Sequence, residues 1–311
     1  MKYRKLIVSI IIVVISAIFI NHHFRLFAIN IGVGNAEPNL RLMTFNVDFE
    51  KYCQEGDGRL NELLTEVHNI NPDILCLQEI SQENYQWMAE SLDSLFGYCE
   101  TFGNKEEVLR YYIYSKKPLR NFKRHKCIGD IDTTGFSSLD YKELNQITRQ
   151  MPLYSAEIEV QPDRWMTVFS CHLRSSAYST ARREMDKDAS WFEGIPHYYR
   201  NYCIGKRIRD YEADNVRRYV DAAQAENKPV IVAGDFNDWG GSYCMNIIEG
   251  NTLKDAWWEG GNGFGFTYKG WHLRLRLDHI LYSDEFELCD VRVVDSDVSD
   301  HRVLVADFKL K

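Results

Sequence analysis

Short apolar runs that stop abruptly at carboxylates, amides or imidazoles constrain this chain more than any other feature. Asp73-Ile74-Leu75-Cys76-Leu77 leads into Gln78 and Glu79, Pro229-Val230-Ile231-Val232-Ala233 leads into Gly234 and Asp235, and Val291-Arg292-Val293-Val294 lies just upstream of Asp300. Runs of this kind, bounded by turn residues, read as buried strands. Their continuous hydrophobicity implies cover on both faces. A charge in mid-strand would lose its hydration without compensation, so the polar groups belong at the strand ends.

The remaining pattern alternates helix and strand early and pairs strands late. Strands are expected at Leu40–Phe45, Ile74–Gln78, Tyr111–Ser115, Leu153–Val160, Trp165–His172 and Val230–Ala233, and again at Asp278–Tyr282, Leu288–Val294 and Val303–Leu310. Leu60, Leu63, Leu64 and Val67 share one helical face, as do Val216, Tyr219, Val220 and Ala223, and a further helix is expected near Asn84–Leu95. Two packed sheets with helices outside account for this order. No linker, repeat or low-complexity tract divides the chain, so residues 37–311 are read as one domain.

The N-terminus differs in kind. Lys2, Arg4 and Lys5 precede Leu6–Ile20, apolar except for Ser9 and Ser16. A basic stub before an apolar core marks an export segment. No small-residue cleavage site follows closely, the first candidate ending at Ala36. The expectation is therefore an uncleaved signal anchor over about residues 6–31, within a 1–36 segment of stub, transmembrane helix and linker; a cleaved signal is the alternative. The positive stub stays inside and the domain is exported to the periplasmic or extracytoplasmic side.

Charge and cysteines narrow the partners. A formal net charge of −8 is unlike a protein whose affinity rests on duplex phosphates. A local basic groove of Arg174, Arg182, Arg183, Lys206, Arg207 and Arg209 would keep a nuclease role open. Eight cysteines show no zinc spacing. Export permits disulfides, with Cys99, Cys127, Cys203 and Cys244 the candidates, while Cys76 and Cys171 read as small core residues.

The clusters at the strand ends occur in the order Asn46, Glu79, His172, Asp235-x-Asn237, Asp278 and Asp300-His301. This order resembles the endonuclease/exonuclease/phosphatase superfamily, which includes deoxyribonuclease I, bacterial sphingomyelinases and inositol polyphosphate phosphatases. Gly234-Asp235-Phe236-Asn237 and Ser299-Asp300-His301 carry most of the likeness. The resemblance implies an α+β fold, a four-layered αββα sandwich behind the membrane segment, and hydrolysis of a phosphate ester with a divalent metal, usually Mg2+ with Mn2+ as an alternative.

The chemistry asks for the same residues. A phosphate ester repels nucleophiles, so a catalyst needs positive charge at its oxygens and an aligned, deprotonated water. Glu79 suits magnesium as its principal ligand, with Asn46 and Asp300 completing the shell. His301 would accept the proton of the water and Asp278 would orient its ring. Asp235 would align the water, and His172 and Asn237 would bond the phosphoryl oxygens. Taken singly, Asp235 and Asn237 read equally well as turn residues, and Asp278 as a structural partner of Arg276. Nucleic acid, a phospholipid headgroup or a small diester all remain candidate substrates. A non-catalytic binding module is the competing class. Two segments, Gly129–Gln150 and Ser175–Lys206, read as insertions at the rim, the second rich in aromatics and arginines; Arg149 is a candidate phosphate contact.

Overall fold

The computed structural model describes residues 2–30, 32–34, 36–49, 58–81, 91–102, 109–134, 153–175, 191–270 and 274–311. The helix expected near Asn84–Leu95 falls largely outside them, as do Arg149, Arg182 and Arg183.

Helix α1 (Lys2–Phe24) precedes the domain. Strand β1 (Leu40–Phe49), α2 (Gly58–Ile70) and β2 (Ile74–Ser81) follow, then β3 (Tyr98–Phe102), β4 (Leu109–Ser115) and β5 (Leu119–Arg124). After β6 (Leu153–Gln161) and β7 (Arg164–His172) come the long α3 (Trp191–Ala225), β8 (Val230–Asp235) and α4 (Tyr243–Glu249). The chain closes with β9 (Leu253–Asp255), α5 (Ala256–Gly260), β10 (Asp278–Ser283), β11 (Phe286–Val294) and β12 (Val303–Leu310). Two six-stranded sheets result, ordered β11-β12-β1-β2-β4-β3 and β5-β6-β7-β8-β10-β9. Each is centred on a parallel pair, β1 with β2 and β7 with β8, and is otherwise antiparallel.

Strand alternation sorts side chains into layers. Leu42, Ile74, Cys76, Val168, Ile231, Ile280 and Leu304 fill the seam between the sheets. Met43, Phe45, Leu75 and Leu77 face the other way and pack on Leu63 and Val67 of α2. Phe169, Val230 and Val232 meet Val216 and Val220 of α3. The order is helix, sheet, sheet, helix, as expected. The expected strands are present, most of them one to four residues longer than read.

Three expectations change. The segment read as a rim insertion, Ser175–Lys206, enters α3 from residue 191. Cys203 and Cys244 are free thiols, and Cys244 is buried in the apolar layer beneath α3. The apolar segment does not run on as helix to residue 31. Arg25 takes a left-handed φ of 48°, and Ala28 is buried and pairs with Gly263. Among the described residues no helix is long and apolar enough to cross a membrane.

Candidate active site

Following the inward-facing residues up the seam shows how the site arises. At the lower end they are apolar. One step higher they are neutral and polar: Gln78 Nε2 donates to Thr44 Oγ1 and to Ser170 Oγ, each at 3.3 Å, all three residues being buried. Pairing one another's groups, they avoid the cost of buried unsatisfied polar atoms. At the top stand Asn46, Glu79, His172, Asp235, Asp278 and His301. The parallel pairs bring Asn46 beside Gln78 and His172 beside Asp235, while antiparallel β10 brings Asp278 opposite Asp235.

Glu79 reaches this layer through a bulge. Simple alternation after Gln78 would turn it toward α2. The registers of β2 with both β1 and β4 shift at this point, and Glu79 has φ 59°. A bulge re-aims a side chain in this way, and a left-handed glutamate is uncommon. Asp48 (φ 45°) and Asn237 (φ 51°) add two more left-handed residues around the same cluster. Gly234, at φ 144°, lets β8 approach β7: a Cβ there would lie 1.9 Å from the carbonyl oxygen of Cys171.

Distances tie the groups together. Asn46 Nδ2 donates to Glu79 Oε1 at 2.9 Å and to Asp235 Oδ2 at 3.1 Å. His172 Nε2 lies 3.2 Å from Glu79 Oε1 and 3.6 Å from Asp235 Oδ2. His301 Nδ1 is 2.7 Å from Asp278 Oδ2, and its Nε2 is 3.7 Å from Asp235 Oδ2. Asp235 Oδ1 accepts the backbone N–H of Asn237 at 2.8 Å, the turn expected of this pair, while Oδ2 faces Asn46, His172 and His301. The Asn237 amide donates to Leu173 O and Asp235 Oδ2; it braces Asp235 rather than facing open space.

Electrostatics show a site with surplus negative charge. Burial raises the Asp235 carboxyl above its usual range, with Asp278 adding to the effect and His301 and His172 opposing it. Asp300, at the solvent-facing mouth, is raised by surrounding protein and by Glu79, with His301 opposing. Burial works against the charge on His301, yet Asp278, Asp235 and Asp300 overcome it and push its imidazole up to about 10. Asp278 Oδ1 is buried without a hydrogen-bond partner. Crowded oxygen donors that resist ionisation together are what a divalent cation relieves. One donor atom each from Glu79, His172 and Asp235 lies within 4.8 Å of the others. Glu79 thus belongs to this trio and to the ligand set read from sequence; the trio adds His172 and Asp235, which sequence reading had assigned to other roles. A carboxylate-rich set with one imidazole fits a hard divalent ion.

A strap that sequence reading missed holds the imidazole–carboxylate pair. Buried Thr267 accepts the backbone N–H of Leu277 and of Asp278 on its hydroxyl, both at 3.0 Å. Its carbonyl accepts from Arg302 N, and Lys269 N donates to Asp300 O. Tyr268 lays its ring 5.1 Å from that of His301. No local pattern in Phe266-Thr267-Tyr268 announces these contacts, which are all distant in sequence. Other expectations fail on geometry. Arg276 pairs with Asp255 at 2.6 Å and not with Asp278. Arg209 is buried against Asp238, and Lys206 is paired with Asp210, so these two do not open onto a basic groove.

The comparisons with known proteins agree with this geometry. The sequence model of the Endonuclease/Exonuclease/phosphatase family matches residues 43–301. Among curated proteins none matches the sequence significantly. Similar solved structures include the human Nocturnin catalytic domain with bound sulfate, at 18% identity and TM-score 0.62, covering 90% of this chain and 96% of that one. A TDP2 from D. rerio complexed with single-strand DNA product has 16% identity and TM-score 0.59, covering 87% and 98%. An endonuclease/exonuclease/phosphatase from Bacteroides vulgatus has 14% identity and TM-score 0.59, covering 88% and 99%. At these identities the structures speak for the shared fold, whereas the family model spans the clusters from β1 to His301. The chain belongs to the endonuclease/exonuclease/phosphatase family of metal-dependent phosphoric ester hydrolases.

Proposed function

We propose that this chain is a membrane-anchored phosphodiesterase that uses a divalent metal, Mg2+ or Mn2+, and an in-line water. The observation that carries the reading is the meeting of the Asp278–His301 pair with Asp235, which His172 links to Glu79. Glu79, Asn46 and Asp300 would hold the ion, with Asp235 near enough to share in its shell. When bound, such an ion withdraws charge from phosphoryl oxygens and favours deprotonation of water.

The chain's own groups do the rest. His301 Nε2 takes the proton of the attacking water, and Asp278 fixes the ring through Nδ1 and stabilises the imidazolium. Asp235 orients the same water, and Asn46 and Asn237 hold Asp235 in place. Before positive charge is added, the carboxylates keep His301 as its cation. With the charge of Asp235 and Asp300 offset by a bound ion, His301 would be free to act as the base. His172 is left to donate to a phosphoryl oxygen or to the leaving group.

The anchor reading is supported by α1, whose side chains from Ile10 to Ile20 include Val13, Ile18 and Phe19 at 64–70% exposure. A helix that shows apolar groups outward needs lipid or a partner to cover them. With Lys2, Arg4 and Lys5 retained inside, the domain stands on the exported side. The TDP2 complex named above, which holds a DNA strand, supports a nucleic acid strand as one substrate; a headgroup diester is the other.

Release of nitrophenol from bis(p-nitrophenyl) phosphate tests the reading. Turnover should require a divalent ion and vanish in His301→Ala. Absence of turnover with every divalent ion would favour a binding module on the same scaffold.

A further inference from the structure

The chain between α1 and β1 does not hang free. Asn21 bonds both backbone groups of Phe27, donating to its carbonyl at 2.9 Å and accepting its N–H at 2.7 Å. Arg25 pairs with buried Glu249 at the end of α4 and lies over the Trp258 ring. Ala28 and Gly263 exchange two backbone hydrogen bonds of 2.9 Å. Asn30 N donates to Asn262 Oδ1. Gly241 packs against His23 and Phe24 so closely that a Cβ would lie 2.3 Å from the His23 carbonyl oxygen.

These contacts leave an apolar patch on the surface. Leu26 is 46% exposed, Ile29 66% and Phe264 47%, with Phe24 and Phe27 at 40%. Phe27 meets Phe264 edge to face at 5.0 Å, so residues from the anchor side and from the domain form one surface. Tyr243, also exposed, stands at the start of α4 with Lys206 near its ring. From Leu6 to Ala36 the chain carries no acidic residue.

We infer that this patch is a bilayer-seating surface: the domain rests on the lipid interface through Phe24, Leu26, Phe27, Ile29 and Phe264 and is clamped at a fixed angle to its anchor. The inference rests on the anchor reading proposed above. Lipid is the occupant because the patch continues directly from the exposed apolar surface of α1. Aromatic groups such as Phe24, Phe27 and Phe264 beside Arg25 suit the boundary between acyl chains and headgroups. The seating also sets where the site points. Phe264 and Tyr268, which touches His301, are at most about 14 Å apart along the chain, so the mouth stands close to headgroup level.

Photocrosslinking of the full chain in phosphatidylcholine/phosphatidylglycerol vesicles tests this, with a diazirine on the lipid close to the headgroup and adducts mapped by mass spectrometry. Adducts are expected on α1, on the 24–29 peptide and on the Phe264 peptide. Phe264→Ser should lose the adduct on its own peptide, keep those on α1 and retain hydrolysis of the soluble diester. Adducts on α1 alone would overturn the seating while leaving the anchor standing. No lipid adducts anywhere would remove the anchor and the seating with it. Protein-to-protein adducts through Phe264 in place of lipid would assign the patch to a second copy and overturn the proposal.

Discussion

The lower and upper parts of the seam are made by the same strands, facing the same way, and they do opposite work. Below, Leu42, Ile74, Val168, Ile231 and Ile280 exclude water. Above, on the same faces of β1, β7, β8 and β10, stand Asn46, His172, Asp235 and Asp278. Between them Thr44, Gln78 and Ser170 satisfy one another. The strands are common to both parts; the difference lies in the side chains and in the bulge that swings Glu79 into the seam. Stability is concentrated where transfer from water is favourable, and reactivity where crowded carboxylates are kept from relaxing by the layers beneath.

Substitutions at the two ends should therefore separate activity from stability. Glu79→Gln or Asp235→Asn should lower kcat/KM by a factor of about 10³ or more, some 4 kcal/mol of transition-state stabilisation, with Tm close to that of the parent. A collapsed fold in either would make these carboxylates structural and erase the contrast. At the lower end Ile231→Ala should cost about 2–5 kcal/mol of unfolding free energy, read by denaturant titration. The molecules still folded should keep the parent kcat.

The strap offers a finer cut. Thr267→Val leaves two buried backbone N–H groups without an acceptor and loosens the Asp278–His301 pair. A drop in kcat of roughly tenfold, about 1.4 kcal/mol, is expected with KM unchanged, and Thr267→Ser should restore it. Equal losses in kcat and Tm, unrescued by serine, would show a purely structural threonine.

The smallest effect belongs to the junction, away from the seam. Burial and nearby Asp255 raise the Glu249 carboxyl from 4.5 to about 7, against the pull of Arg25. The folded chain then holds a proton that the unfolded chain has released, so this group's contribution is full below about pH 4.5 and is lost as pH rises through about 7. Thermal melts of Glu249→Gln should decline less across that window than those of the parent. An unchanged slope would place the titration elsewhere.

Much of this was legible in the sequence because charge cannot sit within a doubly covered strand. That rule alone put Asp235 and Glu79 at strand ends, and the spacing of β-rich runs gave the sheets and their covering helices. What was not legible came from contacts without a local signature. The bulge that swings Glu79 into the seam breaks the alternation on which strand reading depends. The Thr267 hydroxyl acts on Leu277 and Asp278, partners beyond the reach of any local pattern. Arg209, read as part of a basic groove, is buried, because Asp238 and the carbonyl of Arg174 lie over the same face of α3. The end of the N-terminal helix was misplaced because hydropathy does not register the left-handed Arg25 that turns the chain back onto the domain.

The central claim is that one divalent cation is held at the charged end of the seam. Anomalous diffraction from crystals soaked in Mn2+ tests it most directly. The prediction is a peak in contact with Glu79, reached also by Asp300 or Asn46 and lost in Glu79→Gln. A fully active protein whose manganese peak lies away from Glu79 would contradict it.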